Sequence, residues 1–112
     1  MTRVKSPSRK KHKKILKLAK GYWMSRHKQF KKAMEAVLHA GEYAFAGRKQ
    51  RKRQFRRLWI LRINAAVRAL GDKYSSFIAR LKEKNIEIDR KILSKIAVEH
   101  PKFFEEIFKK TN

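Results

Sequence analysis

Side chains that could catalyse a reaction or bind a metal ion are scarce in the first seventy residues. Glu35 and Glu42 are the only carboxylates there, and neither has a partner carboxylate nearby in sequence for acid–base catalysis. Glu35 and His39 are four residues apart and would share a helical face, but two ligands do not define a metal site. We interpret this pair as solvated or salt-bridged. We therefore expect no enzymatic activity, no metal, no cofactor and no small-molecule substrate.

Two other patterns could have indicated phosphate chemistry. The stretch GEYAFAGRK, residues 41–49, superficially resembles a phosphate-binding loop, but its spacing is wrong and no Lys-Ser or Lys-Thr pair follows Gly47. We interpret it as an irregularity in a helix. His12 and His27 lie among lysines and arginines, which favours contact with phosphate over catalysis.

The segment RKQRKRQFRR, residues 48–57, carries seven positive side chains in ten residues. At about 100° per residue these side chains cover roughly two thirds of a helix circumference, and two glutamines fill most of the remainder. No apolar face remains for contact with protein. Nucleic acid suits such a segment, because guanidinium groups pair bidentately with phosphates and released counterions drive association. The next thirteen residues, LWILRINAAVRAL, are mostly apolar and are predicted to enter a protein core.

The net charge of +23 on 112 residues also indicates a polyanionic partner, since self-repulsion destabilises a compact state that has no neutralising anions. Residues 1–57 hold 20 basic and 2 acidic side chains, a net of +18, whereas residues 58–112 hold 12 and 7, a net of +5. The second part can build a core, and the first is not expected to fold alone.

Membrane insertion and export are not indicated. The longest strictly apolar run has four residues, against the roughly 20 that a spanning helix needs. The first 34 residues lack acids, as a transit peptide does, but they are rich in lysine rather than serine, so we treat them as part of the mature protein. The absence of cysteine permits a reducing compartment.

Helices are predicted to position the basic residues of the first part. We expect an extended tail up to Arg9 and a short helix over 10–21 that ends at Gly21. Ser25 is predicted to cap a second helix. Its glycines at 41 and 47 predict a bend or break between residues 38 and 48, or else close contact with another backbone.

The second part is predicted to be compact and helical. The long helix should end at Gly71 and Asp72; Ser75 or Ser76 should cap a helix through residue 84 that stops at Asn85. Further helices should cover 90–98, capped by Asp89, and follow Pro101. The side chains expected in the core are Trp59, Phe77, Ile78, Leu81, Ile92, Leu93, Ile96, Ala97, Phe103, Phe104, Ile107 and Phe108.

The predicted fold class is therefore all-α. A long basic helical N-terminal extension, residues 1–57, contains the tail, the short helix and the long helix. A small globular helical C-terminal domain, residues 58–112, follows, with the long helix crossing the boundary to about residue 70. We assign no strand, although residues 86–88 could form a short extended link.

Folded RNA suits this organisation better than duplex DNA, because it can close around a tail and a helix charged on several faces. A DNA-compacting, histone-like protein remains the alternative. A membrane-active cationic helix would need a continuous apolar stripe, which residues 48–57 lack. Tyr22 and Trp23 suit either packing on a neighbouring helix or stacking on an unpaired base.

The run KRQFRRLWILRINAAVR, residues 52–68, resembles the signature of the bacterial-type large-subunit ribosomal protein L20 family. Supporting stretches are RVK at 3–5, HKKILKLAKGY at 12–22, RKQRKRQ at 48–54 and EIDRKILSKIA at 87–97. The resemblance implies a helical protein whose extension threads into large-subunit ribosomal RNA (rRNA) and whose small domain also contacts it. It also implies early subunit assembly, neighbouring ribosomal proteins as partners and, in some members, repression of their own messenger RNA through its leader.

The resemblance implies a place on the ribosome, in bacterial cytoplasm or in an organellar matrix or stroma. Charge and resemblance together give these candidate RNA-binding residues in the extension: Arg3, Lys5, Arg9, Lys10, Lys11, His12, Lys13, Lys14, Lys17, Lys20, Tyr22, Trp23, Arg26, His27, Lys28, Lys31, Lys32, Arg48, Lys49, Arg51, Lys52, Arg53, Arg56 and Arg57. The resemblance adds Arg62, Asn64 and Arg68 on the domain surface and implies that Trp59 and Ile63 anchor the core.

Overall fold

A computed structural model describes residues 6–112, and every regular element in that range is a helix. The elements are α1 (Pro7–Leu18), a 3-10 helix (Met24–His27), α2 (Phe30–Ala69), α3 (Tyr74–Glu83), α4 (Arg90–Glu99) and α5 (Pro101–Thr111). The predicted all-α fold class is confirmed. The chain divides into two compact units, of which the first ends at Lys49 and the second begins at Gln50.

The first helix, α1, begins at Pro7, three residues before the predicted start, so the extended tail was wrong for residues 7–9. Proline suits a first helical position because its φ is preset and its missing N–H would have had no partner there. The Arg9 N–H donates to the Ser6 carbonyl at 3.1 Å. The helix ends at Leu18, three residues before the predicted end at Gly21, and Gly21, with φ +87°, lies in the turn that follows. The predicted sites Arg3 and Lys5 lie outside the described residues.

The second helix, α2, begins at Phe30 rather than after Ser25, so the predicted serine cap was wrong. Ser25 instead lies in the 3-10 helix, where its carbonyl accepts from the N–H groups of Lys28 and Gln29 at 3.1 and 2.9 Å. These bonds form a separate turn before α2. The Gln29 carbonyl then accepts from the Ala33 N–H at 2.8 Å and starts the α2 ladder.

The glycines of α2 do not interrupt it, and the predicted break was wrong. A glycine in a helix interior costs about 1 kcal/mol relative to alanine. A break would require a second helix to nucleate, whereas each further residue of an existing helix adds a hydrogen bond without that cost. The nucleation cost that is avoided outweighs the glycine penalty. A Cβ built at Gly41 or Gly47 would meet nothing within 4 Å among the described residues, so close contact with another backbone does not explain these glycines either.

The end of α2 is set by Gly71, as predicted. Its φ of +85° allows two bonds that reach back over the last turn. The Gly71 N–H donates to the Arg68 carbonyl at 3.0 Å, and the Asp72 N–H donates to the Val67 carbonyl at 3.2 Å. The same pair of bonds ends α3 at Asn85, whose φ is 52°, which confirms that stop too.

Neither predicted serine caps the start of α3, which lies beside Asp72. Lys73 occupies the position before the helix, and Ser75 and Ser76 lie inside the first turn, so the predicted caps were wrong. The Asp72 carboxylate accepts from the Lys73 N–H at 2.7 Å and forms an ion pair with Arg80. These contacts, the backbone bond first, hold the Asp72 pKa below its ordinary value.

The last two helices begin where the sequence predicted. Asp89 precedes α4, although its side chain makes no capping hydrogen bond within the described residues. Pro101 is the first residue of α5. Residues 86–88 link α3 to α4 and belong to no helix or strand of the described structure.

The core lies in the second unit, where α2, α3, α4 and α5 supply buried apolar side chains. The Phe77 ring lies 5.6 Å from that of Phe104 and 5.8 Å from that of Phe108, measured between centroids. The buried cluster consists of Ile63, Val67, Phe77, Leu81, Leu93, Phe104, Ile107 and Phe108. The predicted inward positions of the aromatic and leucine members are therefore confirmed, as is Ile63.

Some predicted core residues lie at the surface. Ile92 and Phe103 are 51% and 52% exposed, so placing them inward was wrong. Each precedes a residue that takes the inward position, Leu93 or Phe104, and a 100° rotation per residue carries the neighbour out of a narrow buried stripe. Trp59 is only half-buried.

Candidate nucleic-acid interface

The first unit presents its positive charge on α1 and the turn after it. All seven Lys and Arg side chains from Arg9 to Lys20 are exposed. Within residues 6–112 none of them takes part in an ion pair. The apolar positions Ile15 and Leu16 are half-buried, and Ala19 is fully buried. The helix therefore keeps a narrow contact side and leaves its cations available to a phosphate backbone.

Both histidines that were assigned to phosphate contact also hold the first unit together. The His12 ring stacks on Phe30 with centroids 3.8 Å apart and an angle of 22° between the planes. His27 Nδ1 donates a hydrogen bond to the Tyr22 carbonyl at 2.8 Å, which closes the loop between α1 and α2. Both residues remain exposed, so phosphate contact stays a prediction for each.

The basic segment, residues 48–57 of α2, is helical and exposed at every position. No acid of the described residues pairs with its cations. The only nearby acid, Glu42, lies 3.4 Å from His39 Nδ1. Two cations of the basic segment lie over aromatic rings one turn away. Lys49 Nζ is 4.8 Å from the centre of the Phe45 ring, and Arg51 Cζ is 5.8 Å from the centre of the Phe55 ring. The segment therefore offers uncompensated positive charge around the whole helix.

The domain-surface residues follow the same helix into the second unit. Arg62 and Arg68 are exposed and Asn64 is half-buried, whereas Ile63 and Val67 between them are fully buried. The helical repeat thus separates the two sets, with core residues on one side and polar groups on the other. This arrangement agrees with the predicted surface role of the three polar residues.

The two aromatic residues after Gly21 differ in their surroundings. Tyr22 is half-buried, while Trp23 is 78% exposed and does not pack on a neighbouring helix of the described residues. The packing alternative is therefore excluded for Trp23 within that range. Tyr43 is also exposed and was not singled out from the sequence. Its neighbours AFA, residues 44–46, gave no polar contrast that would have marked it.

Residues 6–112 contain no group of three or more side chains placed to hold a metal ion, and Glu35 does not pair with His39. No helix in that part of the chain is both long and apolar enough to span a bilayer.

The comparisons with known proteins agree on one family. The model of the family described as ribosomal protein L20 matches residues 3–107. The chain is 57% identical over 109 residues to the large ribosomal subunit protein bL20 of Caldanaerobacter subterraneus subsp. tengcongensis, a match that covers 96% of this chain and 92% of that protein. It is 56% identical, with the same coverage, to the protein of that name from Thermoanaerobacter sp. strain X514.

Proposed function

The chain belongs to the ribosomal protein L20 family, and from this membership we propose that it is a structural constituent of the large ribosomal subunit that binds large-subunit rRNA directly. Its role is structural and not enzymatic. It lowers the free energy of one RNA fold by bringing positive charge between phosphate backbones that would otherwise repel each other.

The basic segment is the part of the chain that carries this proposal. Its seven cations are exposed around the whole of α2 and have no acidic partner within the described residues. An ordinary protein helix would keep one apolar side for packing, and this segment keeps none. RNA that surrounds the helix supplies anions on every side.

We propose a division of labour along the chain. Residues 1–57 enter the RNA, and residues 58–112 form a folded domain whose Arg62, Asn64 and Arg68 add surface contacts. The eight-residue buried cluster supports the second half of this division, since it lies entirely in 58–112. The extension would then serve early in subunit assembly, when the RNA is still open enough to close around it.

Ribosomal proteins that neighbour the chain in the large subunit are the second class of partner. Ile92, Val98 and Phe103 are more than half exposed in the second unit and offer apolar area for such contacts. The two relatives come from bacteria, which supports a cytoplasmic ribosome. Binding to the leader of its own messenger RNA would use the same cationic residues and is kept as a secondary proposal.

Competition between nucleic acids tests the function against a histone-like role. A labelled fragment of large-subunit rRNA is bound to the full chain and displaced with unlabelled rRNA or with duplex DNA of equal length. We expect the rRNA to displace the label at a concentration at least tenfold lower, because a folded RNA presents phosphates on several sides of a helix. Equal displacement by both competitors would support DNA compaction instead.

A further inference from the structure

An open groove of about 830 Å³ lies within the first unit, between the Tyr22–Arg26 loop and one face of α2. The helix residues that line it recur every three or four positions: Lys32, Glu35, Ala36, His39, Ala40 and Tyr43. Ala36 and Ala40 are the smallest of these side chains, and they leave room above the helix between larger neighbours. The groove is thus large enough to take a flat ring system.

Large aromatic surface is exposed on both sides of the groove. Trp23 on the loop is 78% exposed, and Tyr43 on the helix is 75% exposed. Exposing such side chains to water is unfavourable, and exposed apolar patches rimmed by polar groups mark binding sites. Aromatic faces among cations are the means by which proteins hold unpaired bases.

The loop holds these side chains in an uncommon backbone conformation. Met24 has a φ of +54°, a value that non-glycine residues seldom adopt. The hydrogen bond from His27 to the Tyr22 carbonyl closes the loop around this residue. Such a conformation persists where surrounding contacts fix it, and both Trp23 and Met24 of this loop lie at the surface.

The charged groups of the groove suit one nucleotide. Arg26 and Lys32 line it, are exposed, and form no ion pair with the described residues. Their positive charges suit the binding of a phosphate group. Glu35 is the only acid that lines it, and it too forms no ion pair within that range. A carboxylate accepts hydrogen bonds, so it suits a base with N–H donors rather than a phosphate.

We propose that this groove binds an unpaired nucleotide of the RNA, with its base stacked on Trp23, its phosphate at Arg26 and Lys32, and its amino group donating to Glu35. The inference rests on the proposed function and adds a base site to it. Guanine is the favoured base, because its neighbouring N1–H and N2–H groups can both donate to one carboxylate. The net charge of +18 on residues 1–57 favours RNA over an apolar protein segment as the occupant.

The test uses two single-stranded RNAs of seven residues. One has a central guanosine between uridines, and the other has the same backbone without the central base. Trp23 becomes the only tryptophan in the full chain once Trp59→Phe is introduced. We expect the guanosine RNA to quench its fluorescence strongly and the RNA without the base to quench it weakly.

The RNA affinities of four variants test the proposed base site. Trp23→Ala should weaken binding of the guanosine RNA by about tenfold and binding of the RNA without the base by less than twofold. Trp23→Phe should keep most of the affinity. Phe103→Ala, which removes a half-exposed aromatic ring outside the groove, should leave both affinities unchanged. Glu35→Gln should reduce the preference for the guanosine RNA over a third RNA of the same length that has uridine at the centre.

A Trp23→Ala variant that binds both RNAs as the unchanged chain does, or that weakens both equally, would overturn the inference. Loss of assembly into the subunit without any base-dependent change in affinity would indicate a protein occupant and would overturn it as well. The rRNA-against-DNA competition separates these results from failure of the proposed function. If the preference for rRNA persists, only the base site is wrong; if that preference is absent, the proposed function has failed.

Discussion

At the scale of single residues, Asp72 balances charge at the junction of two helices. It accepts a hydrogen bond from the Lys73 N–H and pairs with Arg80, whose guanidinium carbon lies 5.5 Å from the centre of the Phe108 ring. Arg80 thus connects the carboxylate to the aromatic core. The backbone bond and the Arg80 charge both favour the ionised form of Asp72 and lower its pKa.

Asp72→Asn keeps a hydrogen-bond acceptor and removes the charge. Because the folded-state pKa is lowered, the ionised carboxylate stabilises the fold above the unfolded-state pKa, and this stability is lost as the pH falls through the folded value. We therefore expect a lower thermal midpoint than that of the unchanged chain at pH 7, and a difference that shrinks toward pH 2. Melting curves across this range measure it.

Glu105→Gln is the matched control, since it removes an exposed carboxylate that forms no ion pair within the described residues. Its midpoint should follow that of the unchanged chain at every pH. An Asp72→Asn midpoint that is equally lowered at pH 2 and pH 7 would show that packing, and not charge, is what the substitution disturbs.

The residue-level predictions from sequence succeeded where one apolar position was unambiguous. Leu93 and Phe104 are buried, but Ile92 and Phe103 beside them are exposed, because adjacent apolar residues do not reveal which one faces the core. Trp23 could not be placed from sequence either. It lies in a loop in which Met24 has a positive φ, and methionine gives no signal for that conformation.

At the scale of elements, the glycines within and after α2 show what decides the effect of a substitution by alanine. Gly41 and Gly47 have helical neighbours and open space around them, whereas Gly71 has equal space but a φ of +85°. Space alone therefore does not decide the effect of a substitution. The backbone conformation does, because a side chain at positive φ is strained.

Gly41→Ala and Gly47→Ala should each stabilise α2 by about 1 kcal/mol, since alanine loses less backbone entropy and has open space for its Cβ. Far-UV circular dichroism and thermal melting of the full chain measure the helix content and midpoint. Gly71→Ala is the control and should destabilise the chain despite the same open space. Loss of helix content in Gly41→Ala would contradict this prediction and would support an irregular helix at that position.

Helix boundaries were predicted correctly where the backbone preference of one residue sets them, and not where contacts elsewhere do. Gly71 and Asn85 end α2 and α3 because a positive φ is needed there, and Pro101 begins α5 because its ring fits a first turn. Ser25 was wrong as a start, since its backbone closes a 3-10 turn first. Such turns depend on contacts elsewhere, including the His27 bond to Tyr22, that a local pattern does not contain.

At the scale of the whole molecule, charge and buried area are distributed in opposite ways. Residues 1–57 carry a net charge of +18, and Ala19 and Ala33 are the only fully buried side chains within 6–57. Residues 58–112 carry +5 and hold the entire buried cluster. The burial of two alanine side chains cannot offset the conformational entropy lost when some fifty residues become ordered. It also cannot offset the mutual repulsion of their charges.

Separate fragments should therefore behave differently. Residues 1–50 without RNA should lack stable tertiary structure and show no cooperative thermal transition, whereas residues 58–112 should unfold cooperatively. Circular dichroism and calorimetry distinguish the two behaviours. A cooperative transition in the isolated 1–50 fragment at low salt would show that this division of the chain is wrong.

The function was accessible from sequence because it depends on charge and on a long family signature rather than on a folded pocket. The basic segment, residues 48–57, needed no tertiary information to be recognised, since no helical face in it could pack on protein. The groove beside Tyr43 needed the loop and the helix to be brought together, and residues so far apart along the chain gave no common pattern.

The salt dependence of binding tests most directly whether neutralisation of rRNA phosphates by the front of the chain drives association. The affinity of the full chain for large-subunit rRNA is measured between 50 and 200 mM salt. With on the order of ten phosphate contacts, we predict a fall of about a thousandfold or more over this range. An affinity that stays nearly constant would contradict phosphate neutralisation as the source of binding.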